Sequence, residues 1–527
     1  MTFNKDYKDC KSCKSDNEFI KCKPKRPNPQ NILFECGEGT GSRIFTSSDD
    51  APFQLAHVTL DTSRLNSPEV LIKFSSLVRV EILNLLLNLT VRLKYELFKI
   101  CDGKQPVSLG TWMFEKVNAS SIFFNSIEES FSFIFCECGN CHDCCEYFVT
   151  VTPIEITNAI TTVNNGRLAA LSQSLYDFSN KFKYLDTEDK NVKSNQKHPK
   201  AKEVLLECGQ GNGAIVFREP TDPSSNIAHV NIDTTFLSRP KVVIDFSSTI
   251  KFDFGSGDLI LQFELFRVCD DGEKVLRGIW TFERTGVNIA SLIDESFSFI
   301  FCDSLTCPGC CEYFVTVTVL QIRIFPNLSD AFVLVNNGRM TALAQSTMDC
   351  NNDENEICND KCDCINYERK HPIPKGVLLE CGSGTGSRTF TPSSNKTPFQ
   401  LAHVTIDTTS LYKPVVNIEF SSIVSFENTT VNLSADGRLQ YELFRACDNK
   451  EPISIGVWSI GRRELSTFEI DRITTAFDFT FCDCTACPSC CDYFVVVTPI
   501  GIRTTGISED FKVTVSDGRI AALAQEG

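Results

Sequence analysis

Apolar and polar positions alternate along much of the chain. In "FSFIFCEC", Phe131, Phe133 and Phe135 fall on one face of an extended strand, and Ser132, Ile134, Cys136 and Cys138 on the other. "AHVTLDT" puts Ala56, Val58 and Leu60 on one face and His57, Thr59 and Asp61 on the other. "VLIKFSS", "YELFKICD", "TWMFEKV" and "YFVTVTPIEI" are short, β-branched or aromatic, and bounded by turn formers. In "VNNGRL", Asn-Gly tolerates positive φ and predicts a hairpin. No stretch carries three turns of amphipathic helix, so the elements are strands.

The pattern occurs three times. "FCECGNCHDCCEYF" at Phe135 returns as "FCDSLTCPGCCEYF" at Phe301 and "FCDCTACPSCCDYF" at Phe481. The first cysteines of the copies, Cys36, Cys208 and Cys381, are 172 and 173 residues apart, a full domain rather than a solenoid repeat. The reading is all-β: three tandem antiparallel β-sandwich domains, jelly-roll-like, each of roughly eight or nine short strands. Their bounds are 31–173, 203–345 and 376–527. Polar arms precede them: a basic cysteine-bearing arm at 1–30, a linker at 174–202 and a cysteine-rich linker at 346–375. Domain 3 ends at Gln525 with only two residues after it, so the expectation is that its exit stays open for another molecule.

Charge refines this picture. The net charge is −16, which argues against nucleic acid as a partner. Residues 1–30 hold eight Lys/Arg and four Asp/Glu, a net of +4, so the remainder carries −20. A basic arm on an acidic body can be steered toward another copy. The N-terminus has no apolar secretory core, and "EILNLLLNLTV" is too short to span a bilayer, so no membrane insertion is expected.

The 27 cysteines are the main chemistry. Domain 1 has Cys36, Cys101, Cys136, Cys138, Cys141, Cys144 and Cys145. Domain 2 has Cys208, Cys269, Cys302, Cys307, Cys310 and Cys311. Domain 3 has Cys381, Cys447, Cys482, Cys484, Cys487, Cys490 and Cys491. The arms add Cys10, Cys13 and Cys22, then Cys350, Cys358, Cys362 and Cys364. Tetrahedral zinc thiolate is one reading of C-x-C-x2-C-x2-C-C. Against it, Ser304 replaces a cysteine in domain 2, no second C-x2-C knuckle follows at a typical zinc-ribbon spacing, and neighbours such as Cys144 and Cys145 point to opposite faces of a strand. Redox catalysis wants a helix N-terminus, and none is present. Disulfides are the favoured reading, and all 27 cysteines are candidates. Odd counts in domains 1 and 3 leave thiols for partners outside them, with Cys136 and Cys138 turned outward within reach of an arm.

No enzyme is expected, and no cofactor, catalytic or metal residue is assigned. His57, His229 and His403 each stand four residues before an Asp on one strand face, too far for a proton relay, and read as structural or interface residues. The glycines of "ECGEGTGSR" precede a strand rather than a helix, and read as a turn or bulge where backbones approach.

The combination "ECGxGxG … CD … FCxCxxCxxCCxYF … NGR" resembles a cysteine-rich domain family of anaerobic spore-forming bacteria, in three copies. The layout, a basic cysteine-bearing arm ahead of a jelly roll, looks like the subunits of endospore appendages. That resemblance implies a self-assembling structural subunit of a disulfide-reinforced fibre on the spore surface, made without a signal peptide. Its partner would be itself, head to tail, with other spore-surface proteins as further partners. Arm 1 would dock on domain 3 of the next molecule and pair with Cys482 or Cys484. The alternatives are a trivalent surface- or glycan-binding module and an intracellular metal-thiolate protein.

Overall fold

The structure, a computed structural model, describes residues 31–174, 203–346 and 375–526 apart from short loops within those spans. The arms lie almost wholly outside the described residues. Among the described residues there is no helix.

Each domain has ten strands in one order. Domain 1 runs β1 (Leu33–Cys36), β2 (Glu38–Gly39), β3 (Arg43–Phe45), β4 (Phe53–Asp61), β5 (Pro68–Ile82), β6 (Leu89–Cys101), β7 (Val107–Ala119), β8 (Ser126–Cys138), β9 (Cys144–Thr157) and β10 (Ala159–Ser174). Domain 2 repeats it as β11 (Leu205–Cys208), β12 (Gln210–Gly211), β13 (Ile215–Phe217), β14 (Ser225–Asp233), β15 (Pro240–Phe254), β16 (Ser256–Cys269), β17 (Val275–Val287), β18 (Ser291–Ser304), β19 (Cys310–Phe325) and β20 (Phe332–Ser346). Domain 3 follows as β21 (Val377–Cys381), β22 (Ser383–Gly384), β23 (Arg388–Phe390), β24 (Phe399–Asp407), β25 (Pro414–Asn428), β26 (Leu433–Cys447), β27 (Ile453–Thr467), β28 (Asp471–Asp483), β29 (Cys490–Thr504) and β30 (Phe511–Glu526).

In domain 1, one sheet has the order β1–β10–β5–β8, with β3 also beside β10, and the other β2–β4–β9–β6–β7. This is the jelly-roll order. The two sheets face each other across a core in which Trp112 stacks on Phe133 at 3.7 Å. Trp280–Phe299 and Trp458–Phe479 repeat that contact at 3.7 and 3.8 Å. The strands are longer than expected, 15 residues in β5 and 16 in β10.

"VNNGRL" is not a hairpin. It lies inside β10, whose register against β5 shifts between Asn164 and Arg167. Asn165 takes the positive φ, 51°, but the chain continues in the same direction as a bulge. The bulge separates the stretch of β10 that pairs β3 from the stretch that pairs β1. The glycine-rich turn packs against it: a Cβ on Gly39 would lie 2.4 Å from the Gly166 carbonyl oxygen, so two backbones do approach there.

The sheets do not stop at domain boundaries. β8 pairs β17 through Ser126↔Thr285 and its neighbours. β18 pairs β27, and β28 pairs β7. Each ten-stranded sheet therefore joins one domain's β1-type half to the next domain's β7-type half. The third seam runs from domain 3 back to domain 1, so the domains form a closed ring about a pseudo-threefold axis. Pairing the edge strands in this way leaves neither sheet edge of the seam open.

The ring explains why β5 is buried along nearly its whole length, on both faces. One face packs in its own domain. The other meets its two counterparts on the axis, around Phe34, Leu71, Ile134, Leu206, Val243, Ile300, Leu379 and Leu523. The second face of "FSFIFCEC", expected to turn outward, is buried in this fourth core: Ser132 and Ile134 are 6% and 8% exposed.

Candidate functional site

The axis gathers most of the chemistry. Cys36 ends β1, and Cys302 lies near the end of β18 in the next domain. They are bonded, with Cα atoms 6.0 Å apart. Cys208–Cys482 and Cys381–Cys136 repeat the bond at the equivalent positions, each at 5.8 Å. The cycle is complete: domain 1 to 2, 2 to 3, and 3 to 1. Each bond spans more than 240 residues of sequence.

A second class is local. Cys101 and Cys145 are directly opposed across β6 and β9 and bonded, with Cα atoms 4.1 Å apart. Cys269–Cys311 and Cys447–Cys491 do the same at 4.0 Å. Cys490 is also disulfide-bonded. Cys144 is exposed and Cys310 half-buried, while Cys145 and Cys311 are buried, as strand alternation requires. Within one cluster, therefore, Cys136 goes to domain 3 and Cys145 to its own β6, and the two do not share a metal. Among the described residues no group of three metal-ligating side chains converges. Cys10, Cys13, Cys22, Cys141, Cys307, Cys350, Cys358, Cys362, Cys364, Cys484 and Cys487 lie outside the described residues, as does the side chain of Cys138.

Three expectations are corrected here. Cys136 is not turned to an arm but bonded to Cys381 on the axis. Cys482, a suggested receiver for the arm of the next molecule, is bonded to Cys208 of its own chain. Domain 3 is also not left open at its end. The Gln525 side chain donates to the carbonyls of Val204 and Lys375 and accepts from the Leu206 N–H. Gln173 reaches Leu379 and Val377 of domain 3, and Gln345 reaches Ile32 of domain 1, in the same cyclic sense.

Below the disulfides the axis turns polar in layers. Lys73, Asp245 and Glu419 occupy one position in "VLIKFSS", "VVIDFSS" and "VNIEFSS". Lys73 Nζ lies 2.8 Å from Asp245 Oδ2 and 2.5 Å from Glu419 Oε1. Burial alone would lower the lysine pKa, but the two carboxylates outweigh it and push it up. Next, Ser75, Ser247 and Ser421 accept from the N–H groups of Ile300, Thr480 and Ile134 at 3.0–3.1 Å, satisfying strands that have passed beyond their seams. Asp478 stands where its sisters have Ser132 and Ser298, and both hydroxyls bond to it. Burial lifts its carboxyl to about 6. These groups line a small cavity of about 50 Å³.

A third layer is richer in charge. Lys116 Nζ is 2.8 Å from Glu129, Arg284 bridges Glu129 and Glu295, and Arg462 lies 3.1 Å from Glu295. Thr475 takes the place of a third glutamate. Burial pushes Lys116 down to about 8. Burial alone would raise Glu129, yet Lys116 and Arg284 hold it low.

The histidines are elsewhere. His57 is half-buried on β4, opposite Phe148. Burial lowers the pKa of its counterpart His403.

A family model described as "Domain of unknown function (DUF4489)" matches residues 30–173, 202–345 and 375–525. The chain belongs to the DUF4489 family. This DUF4489 protein carries three tandem copies of the domain, which together make up most of its length. No curated protein matches it. Among solved structures it is similar to a tandem CBM22 domain from Paenibacillus barcinonensis Xyn10C, at 10% identity and a TM-score of 0.15, over 63% of this chain and all of that one. It is also similar to the infectious bursal disease virus VP2 subviral particle, at 8% identity and a TM-score of 0.20, over 89% of this chain and 82% of that one. At such scores neither likeness bears on what the DUF4489 chain does. Its multiple disulfides fit an oxidising, extracellular location.

Proposed function

We propose that this chain is a structural subunit of an extracellular fibre or spore-surface layer, in which each molecule is a covalently closed three-domain node. The observation that carries the reading is the cycle of three equivalent inter-domain disulfides, Cys36–Cys302, Cys208–Cys482 and Cys381–Cys136. A ring locked in this way resists unfolding and proteolysis without needing a ligand, which suits a load-bearing part. The seams take up the β8- and β7-type sheet edges, and contact between molecules is assigned to the arms and the outer faces. Arm 1, basic and bearing Cys10, Cys13 and Cys22, is the cross-linking element, acting on the acidic body of another copy.

Electrophoresis in hot detergent tests this. The oxidised protein should give a ladder of multimers that reductant collapses to one band, and serine at positions 10, 13 and 22 should remove the ladder. A single monomer band from oxidised wild type contradicts the reading.

A further inference from the structure

The outer sheets carry a cross-strand pair of phenylalanines in every domain, half-buried in domains 1 and 2 and with Phe494 buried in domain 3. Phe98 of β6 stacks on Phe148 of β9 with centroids 5.2 Å apart. Phe266–Phe314 and Phe444–Phe494 repeat it at 5.6 and 5.4 Å. Such a cross-strand pair stabilises a sheet, but the pseudo-symmetry also lets one domain report on another.

In domain 2 the aromatic platform is occupied. Lys274 Nζ lies 3.5 Å from the centroid of Phe266 and 5.0 Å from that of Phe314. The register makes Pro106 its counterpart, since Val107 opposes Lys99 as Val275 opposes Arg267. Pro106 is exposed and carries no charge. Among the described residues no cation lies over the Phe98–Phe148 pair. Carboxylates flank it: Glu96 two positions from Phe98 and Glu146 two from Phe148, roughly 7 Å along each strand. Glu96 shares its charge with Lys94, at 2.9 Å. Domain 2 has Glu264 and Glu312 at the same places.

We infer that the Phe98–Phe148 platform of domain 1 is a docking site for a lysine side chain, supplied by arm 1 of a second copy. Lys274 shows what the platform takes: an alkylammonium laid on paired rings, a favourable arrangement of cation over aromatic face. Arm 1 is the most basic of the three arms, net +4 with seven lysines in residues 1–30, against a remainder of charge −20; the linker 174–202 also holds seven lysines, net +3, but is joined to a domain at each end. The supply of the lysine by another copy rests on the assembly reading above; the chemistry of the platform does not.

The test is zero-length carbodiimide cross-linking of the full chain, from an equal mixture of ¹⁴N- and ¹⁵N-labelled protein. Peptide masses then identify which carboxylates have joined which lysines. Amides between arm lysines and Glu146 or Glu96 are expected, with mixed isotopes. Pro106→Lys places a resident cation on the platform and should remove those amides. Lys274→Ala vacates the platform of domain 2 and should add amides at Glu264 or Glu312. The inference is overturned by cross-links that ignore both substitutions, by none at Glu146 or Glu96, or by links confined to one isotope. The disulfide ladder is scored separately in unmodified protein, so failure of the assembly reading and failure of the platform are told apart.

Discussion

Lys73 Nζ and Asp245 Oδ2 lie 2.8 Å apart on the pseudo-threefold axis, although 172 positions separate them in sequence. With Glu419 they make a trio in which three copies of one strand position carry one positive and two negative charges. Three identical side chains there would leave three like charges buried together. The divergence of the copies is what allows the ring to close in water-poor surroundings.

Lys73→Met should accordingly cost more than an ordinary surface change. It leaves Asp245 and Glu419 buried without their cation, for a loss of about 3–5 kcal/mol. Adding Asp245→Asn and Glu419→Gln to the same protein should recover much of that. Urea midpoints of the three proteins check it, and an unchanged midpoint for Lys73→Met would count against the axial pairing.

Acidity should act through Asp478. Its folded carboxyl is pushed up to about 6 by burial, from an ordinary 3.8. A carboxyl raised in this way binds its proton more tightly when folded. Its contribution to stability is therefore greatest below pH 4 and is lost as pH rises through about 6. The loss is of order 1–3 kcal/mol. Asp478→Ser, which restores the residue of the sister domains, should flatten this part of the profile. Melting temperatures of both proteins from pH 4 to 7 give the comparison; parallel profiles would contradict it.

Ser421 is predicted to matter for its oxygen. It accepts the Ile134 N–H at 3.1 Å across the ring. Ser421→Ala strands a buried donor and should cost about 1–3 kcal/mol. Ile134 amide exchange should quicken selectively, because beyond Glu128 no strand is paired with β8 at that edge. Exchange no faster than in wild type would be evidence against this contact.

The seam between domains 3 and 1 is the one that no arm bridges. Removing its disulfide with Cys136→Ser and Cys381→Ser frees a loop of 245 residues and should cost about 2–5 kcal/mol. Removing Cys36–Cys302, where an arm still joins the domains, should cost less. Thermal unfolding of the two double variants checks the order, and equal losses would show that ring closure adds nothing.

The sandwich was legible and the ring was not, for one physical reason. Phe131, Phe133 and Phe135 announce a core face in any single copy. The opposite face carries Ser132, Ile134 and Cys136, which read as solvent-facing until three such faces are brought together. Cysteine parity misled as well. In a ring each domain sends two cysteines outward, so the even count of domain 2 hid the departure of Cys208 and Cys302. A usable signal was present in "VLIKFSS", "VVIDFSS" and "VNIEFSS". A lone charge inside an apolar run is costly unless paired, and its sign differs among the copies. The hairpin reading of "VNNGRL" failed because positive φ at Asn165 serves a bulge as readily as a turn.

The closed ring is the centre of this account, and its most direct test is disulfide mapping of non-reduced protein prepared from mixed ¹⁴N and ¹⁵N chains. The account predicts three inter-domain peptide pairs, Cys36 with Cys302, Cys208 with Cys482 and Cys136 with Cys381, each of a single isotope. Finding these six cysteines bonded within their own domains, or joined between chains of different isotope, would contradict it.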